Sequence, residues 1–305
     1  MKGGAVELRV LRYFLAVARE GNISRAANVL HLTQPTLSRQ IADLEQRLGR
    51  TFFERHSHSV CLTREGMLFR QRAEEIVSLA DKVESEFRSL DRTVAGDVHI
   101  GAGESEHMRT IAATIRQVRQ QYPGIRFHIF SGNKELVAER LARGVLDFGV
   151  LVAPADFSRY NFLPLPGKDV WGLLSPQGSL PDDLDVVTRE DVRRLPLILS
   201  RRIMQQAATG SSIARWFGDD FANLNVVATY NLMNNAALLA EEGVGHVVGW
   251  DNLAISVATG KLRFRPLHPL LEAELAVVWR KNHALSQAAE IFLECLRSRV
   301  SQGKA

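Results

Sequence analysis

The sequence predicts three successive regions: a small, mainly helical N-terminal domain, one long helix, and a larger α/β domain made of two lobes. Apolar residues in the first part of the chain recur at helical spacing. From Phe69 an apolar residue follows every third or fourth position without a break. From residue 97 short apolar runs alternate with helical patterns, which is typical of βαβ units and predicts a parallel sheet.

These patterns set the expected boundaries. We expect an N-terminal domain at 1–66, a long linker helix at 67–91, a hinge at 92–96 and an α/β domain at 97–305. Within the α/β domain, Leu163–Pro166 is interpreted as a crossover between the lobes. Lobe I is therefore expected at about 97–165 and 268–305, and lobe II at about 166–267. With 305 residues and 46% hydrophobic side chains, the chain is long enough for several buried cores.

Positive charge is concentrated near the N-terminus. Residues 1–72 contain twelve Lys or Arg and six Asp or Glu, a net charge of +6, whereas the remainder carries −2. Clustered basic side chains favour nucleic-acid binding because they replace the counterions around phosphates. A solvated basic face would give the same balance, so charge alone leaves both readings open.

The first fifty residues contain three predicted helices. The first buries the face formed by Leu8, Leu11, Phe14, Leu15 and Ala18. Ser24 is expected to cap a short second helix, Arg25–Leu30, and Thr33 to cap a third that ends at Gly49. The inner face of the third helix is formed by Leu37, Ile41, Leu44 and Leu48. Two helices joined by a tight turn predict a helix-turn-helix at about residues 23–42.

The outer face of the third helix carries side chains that suit base edges: Gln34, Thr36, Ser38, Arg39 and Gln40. Glutamine can pair with adenine through two hydrogen bonds, and arginine with guanine. An ordinary amphipathic helix would also have a polar outer face. The two short strands that follow, Phe52–Phe53 and Val60–Thr63, flank a polar tip and predict a wing. His56 and His58 lie in that tip without further ligands at metal-binding spacing, so no metal is predicted.

The long helix carries a narrow apolar seam among charged residues. Its members are Phe69, Ala73, Ile76, Ala80, Val83, Phe87 and Leu90. Such a seam is typical of a helix that pairs with a second copy of itself, so we expect a homodimer.

The segment from Leu11 to Gly66 closely resembles the winged helix-turn-helix of LysR-type transcriptional regulators. The resemblance rests on the Ala-Ala helix, the run Thr-Gln-Pro-Thr-Leu-Ser-Arg-Gln from Thr33, and the later Leu-Thr-x-x-Gly. It implies DNA contacts by Gln34, Pro35, Ser38, Arg39 and, in the wing, Arg55. The full predicted DNA-binding set is Ser24, Arg25, Thr33, Gln34, Pro35, Thr36, Ser38, Arg39, Gln40, Arg55 and His58. His56 and His58 occupy wing positions where many members have Arg or Lys.

The remainder of the chain is similar to the two-lobed effector domain of the same family, which resembles type 2 periplasmic solute-binding proteins. The stretches YPGIRFHIFSGN, LARGVLDFGV and LLAEEGVGHVVG carry this likeness. Ligands of open α/β sheets bind beyond the carboxyl ends of strands. The predicted effector residues are Gly103, Ser105, Ser131, Asn133, Ser200, Arg201, Arg202, Tyr230, Met233 and Trp250. By resemblance Ser105 and Asn133 match effector-binding positions, although each can equally be a cap or turn residue.

Other functional classes lack support. Gly101 and Gly103 are not followed by the third glycine of a dinucleotide-binding loop, and no phosphate-binding loop exists, so an enzyme is not expected. The absence of a signal peptide argues against a secreted solute-binding protein and favours a cytoplasmic location. We expect no cofactor and no membrane partner, but a small anionic or polar effector of unknown identity. The resemblance further implies a palindromic operator in double-stranded DNA, a homodimer or homotetramer, and RNA polymerase as a partner of an activator.

Overall fold

The computed structural model describes residues 6–56, 59–88, 94–152, 160–205, 212–251, 260–281 and 283–302. The chain divides into two compact units, Met1–Arg88 and Ser89–Ala305. Each unit has its own hydrophobic core, and each is described separately below.

The described residues of the first unit form three short helices, a hairpin and a long helix. In chain order these are α1 (Leu8–Glu20), α2 (Ile23–Val29), α3 (Gln34–Leu48), β1 (Phe53–Arg55), β2 (Val60–Leu62) and α4 (Arg64–Arg88). Phe14 of α1 is fully buried in a core shared by the three short helices, the hairpin and α4. Ala26 and Ala27 are also buried, which is consistent with a close helix crossing.

Local capping sets the ends of these helices. Asn22, and not the predicted Ser24, caps α2, because its side-chain oxygen accepts the Arg25 amide at 2.9 Å. The predicted caps of α3 are confirmed: Thr33 accepts the Thr36 amide, and Gly49 ends the helix in the left-handed region at φ 63°. The inner face is buried as far as Leu44, but Leu48 is 40% exposed, contrary to expectation.

The hairpin is fixed to the helices by polar contacts. The Glu45 carboxylate of α3 accepts the backbone amides of Phe52 and Phe53 at 2.6 and 3.1 Å. Thr63 Oγ1 accepts the amide of Gly66 at 2.9 Å, so α4 begins at Arg64, three residues earlier than expected. A Cβ at Gly66 would lie 2.1 Å from the Phe52 carbonyl oxygen, which explains the glycine of the Leu-Thr-x-x-Gly motif.

The predicted seam of α4 divides between two faces of the helix. Phe69 stacks on Phe52 with ring centroids 4.4 Å apart, and Ala73 is fully buried in the same core. These two residues therefore pack within their own domain, which corrects their assignment to a dimer seam. Ile76 and Val83 are 52% and 45% exposed. The side chains of Phe87 and Leu90 lie outside the described residues.

The second unit contains two sheets with helices packed against them. Its elements are β3 (Ala95–Ala102), α5 (Met108–Gln121), β4 (Gly124–Ser131), α6 (Lys134–Ala142), β5 (Phe148–Val152), β6 (Tyr160–Pro164), β7 (Asp169–Pro176), α7 (Arg189–Arg193), β8 (Leu197–Ser200), α8 (Arg201–Gln205), α9 (Ser212–Phe217), a 3₁₀ helix (Gly218–Asn223), β9 (Val226–Tyr230), α10 (Met233–Glu241), β10 (His246–Trp250), β11 (Leu262–Pro266), β12 (Glu272–Ala273), β13 (Leu275–Arg280) and α11 (Gln287–Gln302).

Among the described residues, lobe I has the sheet order β4-β3-β5-β13-β6. Strand β3 is parallel to β4 and β5, whereas β13 is antiparallel to β5 and β6. Helices α5 and α11 cover a core in which Phe148 and Phe292 contact each other. The sheet is therefore mixed and not parallel as predicted, because the chain returns from lobe II in the opposite direction.

Lobe II is also a mixed sheet, with described order β11-β7-β10-β8-β9 and β12 paired with β7. The first expected lobe boundary, between 165 and 166, falls in the segment between β6 and β7, whereas the second boundary differs from expectation. Leu163 and Pro164 belong to edge strand β6 of lobe I, so the chain crosses between β6 and β7. Glu272 and Ala273 pair with lobe II, so the return crossing comes after β12 and not at 268. Gly96 lies in β3, although it was assigned to the hinge.

Candidate nucleic-acid interface and ligand cleft

The outer face of α3 presents most of its predicted DNA-binding side chains to solvent. Residues Gln34, Pro35, Thr36 and Arg39 are exposed, and Ser38 and Gln40 are half-buried. The Arg39 side chain has no hydrogen bond or ion pair with any residue in the described part of the chain. Its guanidinium group therefore has all five N–H donors available for a ligand.

The other predicted contacts have local partners. The hydroxyls of Thr33 and Thr36 lie 2.8 Å apart, and Arg25 donates to the Glu20 carbonyl oxygen at 2.5 Å. Ser24 is exposed on α2. The Arg55 side chain and residue His58 lie outside the described residues, so their assignment stays a prediction.

A cavity of about 540 Å³ lies between the two lobes of the second unit. Nine of the ten predicted effector residues line it: Gly103, Ser105, Asn133, Ser200, Arg201, Arg202, Tyr230, Met233 and Trp250. Ser131 does not line it. That residue pairs with Ala102 at the end of β4 and is exposed. The rule for ligands at strand ends therefore locates this cleft, but not each side chain in it.

Ser105 and Asn133 both make local hydrogen bonds. Helix α5 begins at Met108, so Ser105 lies three residues before the helix and is not its N-cap. Its hydroxyl instead accepts the His107 amide at 3.1 Å and lies 3.1 Å from His107 Nδ1. Asn133 caps α6 by accepting the Leu136 amide at 3.1 Å. The cap interpretation therefore applies to Asn133, alongside its position in the cavity wall.

A buried pair joins the two lobes beside the cavity. His107 Nδ1 of lobe I lies 2.9 Å from Asp169 Oδ1, at the first residue of β7 in lobe II. The hydrogen bond to Asp169 raises the pKa of His107, and burial of the ring only partly opposes this increase. Sequence reasoning missed the pair because its members are 62 residues apart.

Positive side chains from both lobes line the cavity. Lys134 is the first residue of α6 in lobe I, and Arg202 lies in α8 of lobe II. Burial, together with the positive charge of Arg202, lowers the pKa of Lys134. Arg202 also forms an ion pair with Glu135 across the cleft at 3.7 Å. Lys134 was not predicted, although it follows a strand end and a helix cap, which was the available signal.

The cavity also has an aromatic wall. The rings of Trp171 and Trp250 are 3.9 Å apart at their centroids and both line the cavity. Tyr230 donates its hydroxyl hydrogen to the Val248 carbonyl oxygen at 2.7 Å. Desolvation of the hydroxyl raises the pKa of Tyr230, and the negative charge of Glu104 adds to this. Flat apolar surface beside cationic groups suits an organic anion.

The acidic side chain of Glu104 also reaches across the cavity. The carboxylate of Glu104, in the loop after β3, accepts backbone amides of Met233 and Asn234 at the start of α10. This contact links lobe I to lobe II. Within the described residues, no group of three or more His, Cys, Asp or Glu has metal-binding geometry. Likewise, none of the helices described is long and apolar enough to cross a membrane.

We predict that the His107–Asp169 pair makes stability depend on pH. The pKa of His107 is raised in the folded state, so its stabilisation is complete below about pH 6.5 and is lost as pH rises through the folded pKa. Replacing His107 by Asn should therefore lower the free energy of unfolding by about 3 kcal/mol at pH 5.5 and by less at pH 9. Urea unfolding can be followed by tryptophan fluorescence, since all four tryptophans lie in the second unit.

Asp169→Asn serves as the matched variant and should reduce the same pH dependence from the other side of the pair. The assignment would be contradicted if wild type and His107→Asn differed in free energy of unfolding by the same amount at pH 5.5 and at pH 9.

Comparisons with known proteins agree with this architecture. Residues 8–67 match the family model described as bacterial regulatory helix-turn-helix protein, lysR family, and residues 91–301 match the LysR substrate binding domain. The uncharacterised regulator YnfL of Escherichia coli K12 is 35% identical over 301 residues, covering 94% of this chain and 96% of that protein. BsdA of Bacillus subtilis 168, an HTH-type transcriptional regulator, is 27% identical over 298 residues, covering 95% and 99%.

Solved structures show the same fold. The LysR family regulator CbnR superposes with a TM-score of 0.72 at 20% identity, covering 97% of this chain and 99% of that one. Full-length CbnR with its target DNA gives a TM-score of 0.69 at 21% identity, covering 96% and 100%. The relatives are transcriptional regulators and not enzymes. The chain therefore belongs to the LysR family of DNA-binding transcriptional regulators, with an N-terminal helix-turn-helix and an effector-binding domain.

Proposed function

We propose that this regulator recognises a palindromic operator as a dimer and that a small organic anion in the interlobe cavity controls its activity. The observation that carries the effector assignment is the presence of Lys134 and Arg202, from opposite lobes, on one cavity of about 540 Å³. The positive charges of Lys134 and Arg202 repel each other, and an anion bound between them would offset this repulsion. No cofactor beyond that effector is proposed.

The DNA-binding part of the proposal rests on the outer face of α3. Arg39 is exposed beside Ser38 and has no partner among the described residues. A guanidinium with free donors can read the O6 and N7 atoms of guanine in the major groove. Because bacterial DNA lies in the cytoplasm, this role also supports the predicted location. If the protein is an activator, RNA polymerase is its further partner.

We predict that Arg39→Ala weakens operator binding by about 1–3 kcal/mol and changes the affinity for random DNA much less. Fluorescence anisotropy with labelled operator and scrambled duplexes, at one fixed salt concentration, measures both affinities. Arg47→Ala, in the last turn of α3, is the matched control, since it removes the same charge from the other end of the helix. Equal losses on both duplexes would assign Arg39 to the phosphate backbone.

The assembly proposal rests on the exposed apolar side chains of α4. Ile76, Leu79 and Val83 are each more than 40% exposed and follow one another at spacings of three and four. Leu68 is also exposed, and it extends the same stripe two helical turns toward the N-terminus of α4. A stripe of this type on a 25-residue helix suits a parallel or antiparallel copy of the same helix. Two recognition helices held by one dimer explain a palindromic site.

We predict that Ile76→Glu combined with Val83→Glu converts the assembly to smaller species and abolishes tight operator binding, because two charges would be buried at the seam. Sedimentation velocity measures the change in assembly. Gln71→Glu is the control, since it adds charge at another exposed position of α4. An unchanged sedimentation coefficient for the double variant would remove this stripe from the interface.

The effector proposal can be tested without knowing the natural ligand. A panel of small mono- and dicarboxylates is screened by the melting temperature of the full chain, since a ligand of the folded state raises it. Arg202→Met should raise the ligand concentration needed for half the melting-temperature shift by about tenfold, because one charge-assisted hydrogen bond is lost. Arg194→Met removes an exposed arginine from α7's end and should change nothing. If Arg202→Met and Arg194→Met needed the same ligand concentration for half the shift in melting temperature, the anion would not be bound by Arg202.

A further inference from the structure

Helix α10 begins without a cap from its own segment. Its N-cap residue is Leu232, which has extended backbone and no side-chain acceptor. The amide of Leu232 is taken by the side chain of Asn231 at 3.0 Å. The next two amides, of Met233 and Asn234, therefore need an acceptor from another part of the fold.

Glu104 of lobe I supplies this acceptor. One carboxylate oxygen, Oε2, accepts both amides, with Asn234 N at 3.1 Å. Glu104 and Met233 both line the interlobe cavity, so this contact lies within the cleft and not beside it. A negative charge at the positive end of a nine-residue helix is favourable. The position is one that a ligand carboxylate would also take, because it offers two converging N–H donors.

A second acid follows the same pattern. Glu135 of lobe I contacts Arg202 of lobe II at 3.7 Å. Lobe II therefore has two groups that attract anions, the N-terminus of α10 and Arg202. A carboxylate of lobe I contacts each of them. Glu104 is half-buried, whereas about half of the Glu135 side chain is exposed to solvent. Glu104 is therefore the stronger candidate for a specific role.

We propose that Glu104 is an internal anion that occupies part of the effector cleft, and that a carboxylate ligand must displace it from the start of α10. This proposal rests on the proposed effector function and adds the regulation of that site. Glu104 then sets the ligand concentration at which the cleft responds. Without its charge the side chain at this position is a weaker acceptor for the two amides, or none, so the cleft becomes more receptive to carboxylates.

The test uses acetate as the probe and the full chain as the protein. Half-saturating acetate concentrations are measured for wild type, Glu104→Ala and Glu104→Gln from melting temperature and from the fluorescence of the cavity tryptophans. Both variants should respond at an acetate concentration about five- to thirtyfold below that of wild type, the effect of one charged helix cap. Acetamide, which has the same shape without the charge, should not show this difference.

Two controls make the result specific. Glu106→Ala removes a neighbouring carboxylate that pairs with Arg109 and should leave the acetate response at the wild-type value. Glu104→Gln keeps the size of the side chain and one acceptor oxygen, so it remains informative if Glu104→Ala does not fold. Operator binding without acetate is measured in parallel for every variant.

Equal or weaker acetate binding in both Glu104 variants would overturn the proposal and would make Glu104 only a contact that closes the cleft. If this happens while operator binding is unchanged and other carboxylates still act through Arg202, the proposed function stands and the Glu104 inference alone fails. If Glu104→Gln gains affinity for acetamide as much as for acetate, displacement of a charge is also excluded.

Discussion

The return of strand β13 from lobe II into the middle of the lobe I sheet is the constraint on which the cleft depends. Its residues Leu275 to Val278 are buried, and their backbone groups pair with β5 on one side and β6 on the other. An unpaired strand in this position would leave buried amides and carbonyls without partners. Because β13 must return, two chain segments join the lobes, and the strand ends of both sheets face one cavity.

Among the described residues, charged groups make three contacts between the lobes. His107 and Asp169 form a buried pair near the first crossing, while Glu104 and Glu135 contact positive groups across the cavity. Such contacts are sensitive to any new charge, since the interior screens charges much less than water does. A cleft built in this way responds to a small anion through its charge as well as its shape.

The first unit uses one helix for two packing tasks. On one side of α4, Phe69 and Ala73 complete the core around Phe14, with Phe69 against Phe14 at 4.8 Å. On another side, Ile76 and Val83 remain exposed. A heptad pattern shows only that apolar residues recur at the spacing of one helix face. It does not indicate whether the surface that buries them belongs to the same chain or to a second copy.

The sequence by itself determined the features that neighbouring residues encode. Thr33 and Gly49 bound the recognition helix because a cap and a left-handed glycine act within a few residues. Eight of the nine correctly predicted cleft residues follow from the positions of strand ends. Only the tertiary structure decided which charged groups meet in the cleft. Glu104 caps a helix 129 residues later, and His107 meets Asp169 across 62 residues. No local pattern encodes such pairs, because the sheets and the return of β13 bring them together.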